Sequence, residues 1–135
     1  MDAKRLGIGT VSGAITLYIV GYVIWDLAFG SMFDGWAGGA LNVNRPEPLL
    51  WAEIVGLITY ALLLTTVIDK GASVADAAKR GALTGLLLWA TADFMLYSFQ
   101  DVWTMPAPLV DSVLEAVRGG ICGAAIAAVL AKTGN

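Results

Sequence analysis

Between Pro108 and Ala131 the chain reads PLVDSVLEAVRGGICGAAIAAVLA, an apolar run long enough to cross a bilayer that nevertheless carries Asp111, Glu115 and Arg118. On a helix these three and Cys122 are separated by steps of four, three and four residues and share one stripe. A charge at the centre of a membrane helix costs about 2.5–3.5 kcal/mol on insertion scales, so such residues face protein or water rather than lipid. The stripe therefore demands partners from the rest of the chain. Gly119, Gly120, Gly123 and Ala124 lie beside it, small enough to let another helix come close.

Three further apolar runs supply those partners. They are read as helices over Leu6–Phe29, Pro48–Ile68 and Val74–Phe99, with the last span over Pro108–Ala131. Only 14% of the residues are charged and 58% are hydrophobic, against about 25% charged in an ordinary soluble domain. The spans leave no room for a separate soluble domain. The expected fold is all-α: one integral membrane domain, an up-down four-helix bundle. The run after Lys4-Arg5 is too long for a signal-peptide core and lacks an A-x-A-like cleavage site, so it is read as the first span. Pro48 is placed at the first helical position of the second span. Ser73 followed by Asp76 resembles a capping box at the start of the third. The glycine- and proline-rich stretch MFDGWAGGALNVNRPEP forms the first loop, with a short interfacial turn around Phe33–Trp36.

The basic residues orient the bundle. Lys4, Arg5, Lys70, Lys79, Arg80 and Lys132 fall on one side and only Arg45 on the other, which predicts that both termini are cytoplasmic. Asp26 and Asp93 then come late in outward-running helices, while Glu53, Asp111 and Glu115 come early in inward-running ones. All five acids fall in the outer half of the membrane, with Arg118 deepest. At about 1.5 Å rise per residue, the layer from Asp111 to Arg118 is about 10 Å thick. Aromatic residues repeat the asymmetry. Tyr18, Tyr22 and Asp26 recur every fourth residue, Glu53 is followed by Gly56 and Tyr60 on nearly the same face, and Gly81, Gly85, Trp89, Asp93 and Tyr97 recur every fourth residue.

The segment GALTGLLLWATADF, with Trp103 ten residues after Asp93 and Val110-Asp111 shortly beyond, is similar to a bacterial four-helix membrane family of unassigned function. The resemblance covers the third and fourth helices, with a trace at Trp25-Asp26. It implies a multi-pass protein of the bacterial cytoplasmic (inner) membrane in which Asp93 and Asp111 matter. It carries no activity. Ala92 stands where the family has tyrosine, and Glu115 and Arg118 where it has mostly uncharged residues.

Two functional readings follow. In the first, Asp26, Glu53, Asp93, Glu115 and Arg118, with Tyr22, Tyr60, Trp89 and Tyr97, form an acidic and aromatic cluster that binds a small cation or amphipathic ligand by charge and cation–π attraction. In the second, the charges fix helix register in an accessory or assembly subunit of a larger membrane complex. Small-residue faces at Gly9/Gly13, Gly81/Gly85 and Gly119/Gly123 exceed what one bundle is expected to need, which predicts a homo-oligomer or a partner chain besides the membrane lipids. Arg118 is expected between Glu115 and Asp93. Enzymatic readings have less to stand on: no nucleophile–base pair or phosphate loop accompanies the carboxylates, and Ser12, Thr65 and Thr66 lie in the other half of the membrane. With no histidine and a lone cysteine, read as a small buried hydrophobe, the sequence calls for no cofactor, metal or disulfide. Nor is there a basic stripe for nucleic acid.

Overall fold

The structure is a computed structural model that describes residues 2–134. Helix α1 (Ala3–Gly21) runs on without a break into a π-helical segment (Tyr22–Ala28), and a single short helix, α2 (Gly30–Asp34), follows. Three long helices complete the chain: α3 (Leu50–Val67), α4 (Val74–Phe99) and α5 (Pro106–Lys132). The stretch Ala3–Ala28 and helices α3, α4 and α5 are each long and apolar enough to cross a membrane, and the fold is an all-α bundle. The second span begins at Leu50 rather than Pro48, with Leu49 extended immediately before it. The last begins earlier than expected, with Pro106 in its first turn. At α4 the side chain of Ser73 accepts the Asp76 amide at 3.1 Å, as the capping signal predicts.

The helices run alternately up and down, so both termini share one end, here called proximal; the loop-rich end is distal. Packing is uneven around the ring. Helices α4 and α5 lie against each other along most of their length, α1 packs on both α3 and α5, and α3 meets α4 sparsely. The α4–α5 seam is backbone on backbone. A Cβ at Gly81 would strike the Gly119 carbonyl, and one at Gly119 the Gly81 carbonyl. Gly85 and Gly123 are crowded in the same way by the carbonyls of Glu115 and Ala77. On α1, Gly9 rests on Thr65 and Gly13 on Ala61 and Ile126. All three small-residue faces named from the sequence are thus used inside one chain.

The apolar core occupies the proximal half, where Leu17, Leu64, Ile68, Cys122 and Ile126 are fully buried. The Cys122 thiol lies 3.4 Å from the Gly13 carbonyl. The last carbonyls of α3 have no partner within the helix. Arg5 meets this need by donating to Thr65 O at 3.3 Å and Ile68 O at 2.5 Å, and Arg80 donates to Val67 O at 3.2 Å while pairing with Asp69. At the distal end the two loops are tied together. Gly38 N donates to Val102 O at 2.7 Å, Ala40 N to Asp101 O at 2.8 Å and Thr104 N to Trp36 O at 2.8 Å, around an isolated antiparallel bridge between Ala37 and Trp103. The approach is so close that a Cβ at Gly38 would strike the Asp101 carbonyl. Phe33 and Trp36 pack edge-to-face at 5.6 Å beside it.

Candidate functional site

The distal half of the bundle contains charges and cavities where the proximal half contains aliphatic side chains. Arg118, on α5, is the centre of this region. Its Nη1 donates to Glu115 Oε1 at 2.8 Å, one turn earlier on the same helix. Its Nε donates to the Leu17 carbonyl of α1 at 3.0 Å, and its guanidinium carbon sits 5.2 Å from the centroid of the Trp25 ring. Gly21 makes room for it, since a Cβ there would lie 2.8 Å from Nη2. The partner on another helix is therefore a backbone carbonyl and an indole face rather than Asp93, contrary to the expectation from charge alone. A guanidinium carries five donors and a flat apolar face, and here it uses all three kinds of contact open to it.

Trp25 reaches the interior from the π-helical segment, whose wider turn is closed by Phe29 N donating to Ile24 O at 2.8 Å. Besides stacking on Arg118, Trp25 donates its indole N–H to Asp111 Oδ1 at 2.7 Å. Asp93 is 1% exposed and faces Asp111. Its hydrogen bond from Ser112 is long, at 3.5 Å, because the Ser112 hydroxyl is also directed at the Pro108 carbonyl, 2.7 Å away. Three carboxyl groups thus surround one guanidinium. Glu115 pairs with it, leaving Asp93 and Asp111 side by side without a cation of their own. A buried carboxyl group beside a half-buried one needs a proton or a cation between them.

The buried polar atoms of this region are thinly satisfied. The Trp89 indole nitrogen has no hydrogen-bond partner, and the Tyr60 hydroxyl has only the Glu115 carboxyl beside it. Tyr60 projects from α3 into the α4–α5 seam, where a Cβ on Gly85 or on Gly119 would meet its hydroxyl at 2.7 or 3.2 Å. An unpartnered polar atom in a buried setting is rare and costs about 1–3 kcal/mol, so one beside a buried ion pair is a mark of a site.

Three cavities meet at Arg118. A distal one of about 400 Å³ lies beneath the tied loops, with Asp93, Asp111 and Glu115 on one side and the aromatic rings of Trp25, Phe33, Trp89 and Trp103 on the others. A second, of about 550 Å³, is the cleft between α3 and α4. A third, also of about 400 Å³, opens between α1 and α3 and is lined by Tyr18, Tyr22, Asp26 and Glu53. Of the residues singled out from the sequence, Asp93, Glu115, Arg118, Tyr60 and Trp89 come together. Asp26, Glu53 and Tyr22 are exposed and form a separate mouth that touches the cluster through Arg118. Tyr97 does not join them. It is 39% exposed and lies near Phe99 and Gln100, because steps of four on a helix of 3.6 residues per turn drift by about 40° each.

Trp25, Phe33 and Trp103 are the members that spacing within single helices did not assemble. The signal for Trp25 lies in α1, where Gly9, Gly13, Leu17, Gly21 and Trp25 recur every fourth residue and the small-residue line ends in the ring. Comparison with known proteins adds no assignment: no family model, curated protein or solved structure matches the chain. Among the described residues no group of three metal-ligating side chains is gathered for a metal ion.

Proposed function

We propose that this protein sits in the bacterial cytoplasmic membrane with both termini in the cytoplasm and binds a small organic cation in the cavity beneath its distal loops. The observation that carries the reading is the composition of that cavity. Two neighbouring carboxyl groups without a counter-cation, Asp93 and Asp111, line it together with the rings of Trp25, Phe33, Trp89 and Trp103, and Trp25 donates to Asp111. An ammonium or similar cation gains from both features at once, by charge neutralisation and by attraction to ring faces, and the gain is larger where water is excluded. A purely register-fixing cluster would match its charges and leave fewer polar atoms unsatisfied. The four aromatic walls also exceed what charge pairing needs. The orientation rests on the six basic residues of the proximal side against Arg45 on the other. It places the cavity toward the cell exterior, with Asp26 and Glu53 at its flank drawing cations in.

The test is a titration of the protein in nanodiscs with tetramethylammonium, followed by tryptophan fluorescence and by calorimetry. A saturable response is expected from the parent and none from Asp93→Asn. Equal binding by parent and variant, or none by the parent, would remove this reading.

A further inference from the structure

The cavity beneath the loops and the cleft between α3 and α4 are neighbours, with Trp89 and Arg118 lining both. Their walls differ in kind. The first holds the three carboxyl groups of Asp93, Asp111 and Glu115; the second is lined mainly by apolar surface of Gly56, Leu57, Leu63, Leu88 and Ala92, with Glu53, Thr59 and Tyr60 as its polar members. The cleft exists because α3 and α4, joined at the proximal end by a short turn, meet only sparsely along their lengths. Of the residues that line it, Gly56, Thr59 and Leu88 are themselves exposed. In a spanning bundle such a sector faces hydrocarbon. At its deep end are the Tyr60 hydroxyl, beside Glu115, and the unpartnered Trp89 indole nitrogen, with Tyr60 only 7% exposed.

We infer that a single ligand occupies both spaces: an amphipathic cation of the long-chain alkylammonium class, its cationic head among Asp93, Asp111 and the aromatic rings and its chain in the α3–α4 cleft. The inference rests on the organic-cation reading above and adds the chain. An ordinary hydrocarbon chain in the cleft would leave the acid pair uncompensated, and a short cation in the distal cavity would leave an apolar space of about 550 Å³ beside it. Because the two spaces adjoin at Trp89 and Arg118, one molecule that reaches past these side chains answers both needs. It also gives the ligand a lateral path, since an amphipath already in the bilayer can enter between α3 and α4 without crossing the tied loops. Gly56 keeps this path open. A Cβ at that position has no neighbour within 4 Å, so a larger side chain would extend into the cleft without disturbing a packed contact.

The probe is a dodecyltrimethylammonium analogue bearing a diazirine at the chain end, added to the protein in nanodiscs and photolysed. Crosslinks are expected on peptides containing Gly56–Leu63 and Leu88–Ala92. They should disappear with excess tetramethylammonium, in Asp93→Asn, and in Gly56→Leu, where the added side chain fills the cleft. Labelling spread over lipid-facing positions such as Val11, Leu83 and Val117, insensitive to competitor and to both substitutions, would overturn the inference. Tetramethylammonium titration of the parent separates the two failures. If the short cation binds while the chain label stays unlocalised, only the chain placement is wrong; if it does not bind, the head-group reading falls and this inference falls with it.

Discussion

Two helix pairs in this bundle use glycine in opposite ways. Along the α4–α5 seam, Gly81, Gly85, Gly119 and Gly123 each press against a carbonyl of the facing helix, and the pair packs almost as one body. Between α3 and α4, Gly56 faces nothing and the helices stand apart. Membrane helices cannot rely on water exclusion to come together, so close backbone approach and its dispersion contacts must supply the attraction. Where that approach is made, the bundle has a dry seam. Where it is not, a cavity remains, and Arg118 of α5 borders it. The close pair holds Asp93, Asp111, Glu115 and Arg118 in place, and the open sector reaches Arg118.

The largest expected effect comes from forcing the close pair apart. Gly81→Leu must displace the Gly119 carbonyl, and no rotamer of leucine avoids the clash at Cβ itself. Overpacking of this kind typically costs about 1–3 kcal/mol and at a backbone contact more, so the variant should lose most of its folded fraction in unfolding titrations in mixed micelles. Gly81→Ala should be destabilised in the same direction by less. A Gly81→Leu protein with the parent's unfolding midpoint would mean that the α4–α5 seam is not formed.

Next in size is Arg118, which joins α5 to α1. Its removal leaves Glu115, 2% exposed, without the cation it faces. Breaking a buried pair by deleting one partner costs about 3–5 kcal/mol, but the neighbouring cavities let some water reach Glu115, so Arg118→Leu is expected near the lower end. The double variant Arg118→Leu/Glu115→Leu should recover part of that loss, because the stranded carboxylate goes with the guanidinium. Thermal midpoints of parent, singles and double complete the cycle. Additive losses would show that the two side chains do not interact.

Trp25→Phe follows. It keeps a ring against Arg118 but removes the indole donor to Asp111, a hydrogen bond to a carboxylate worth about 1.5–3 kcal/mol. The expected change is a lower midpoint. A variant as stable as the parent would mean that Asp111 finds another donor.

How much of this was readable in advance depends on what kind of atom makes each contact. Side-chain periodicity is carried by residue identity, and it gave correct faces for several lines of side chains and glycines, though not for Tyr97. Examples are the four-three-four stripe of Asp111, Glu115, Arg118 and Cys122, and the lines through Gly9–Gly13 and Gly81–Gly85. Backbone acceptors have no such mark. Nothing in the letters distinguishes the Leu17 carbonyl that receives Arg118, or the Thr65, Val67 and Ile68 carbonyls that receive Arg5 and Arg80. Arg5, counted as a cytoplasmic charge, is in fact buried as a helix cap. The π-helical turn that directs Trp25 inward and the bridge between the distal loops depend on tertiary contacts, and no local pattern announces them. The candidate site was thus legible as acids with aromatic neighbours, Trp89 among them, but not as a cavity walled by Trp25, Phe33 and Trp103.

The smallest effect has the opposite sign, which makes it the sharpest comparison of the two glycine environments. At Gly85 a methyl group would meet the Tyr60 hydroxyl and the Glu115 carbonyl, so Gly85→Ala should lower stability. At Gly56 the same methyl meets nothing, and the residue lies within α3, where glycine is less favourable than alanine by about 0.8–1.0 kcal/mol in helix propensity. Gly56→Ala should therefore leave stability unchanged or raise it by up to about 1 kcal/mol, and Gly7→Ala, equally free of neighbours on α1, should behave alike. Unfolding midpoints of the three alanine variants measured side by side provide the check. Destabilisation at Gly56 matching that at Gly85 would mean that α3 closes onto α4 in the membrane, and the cleft between them would not be part of the folded protein.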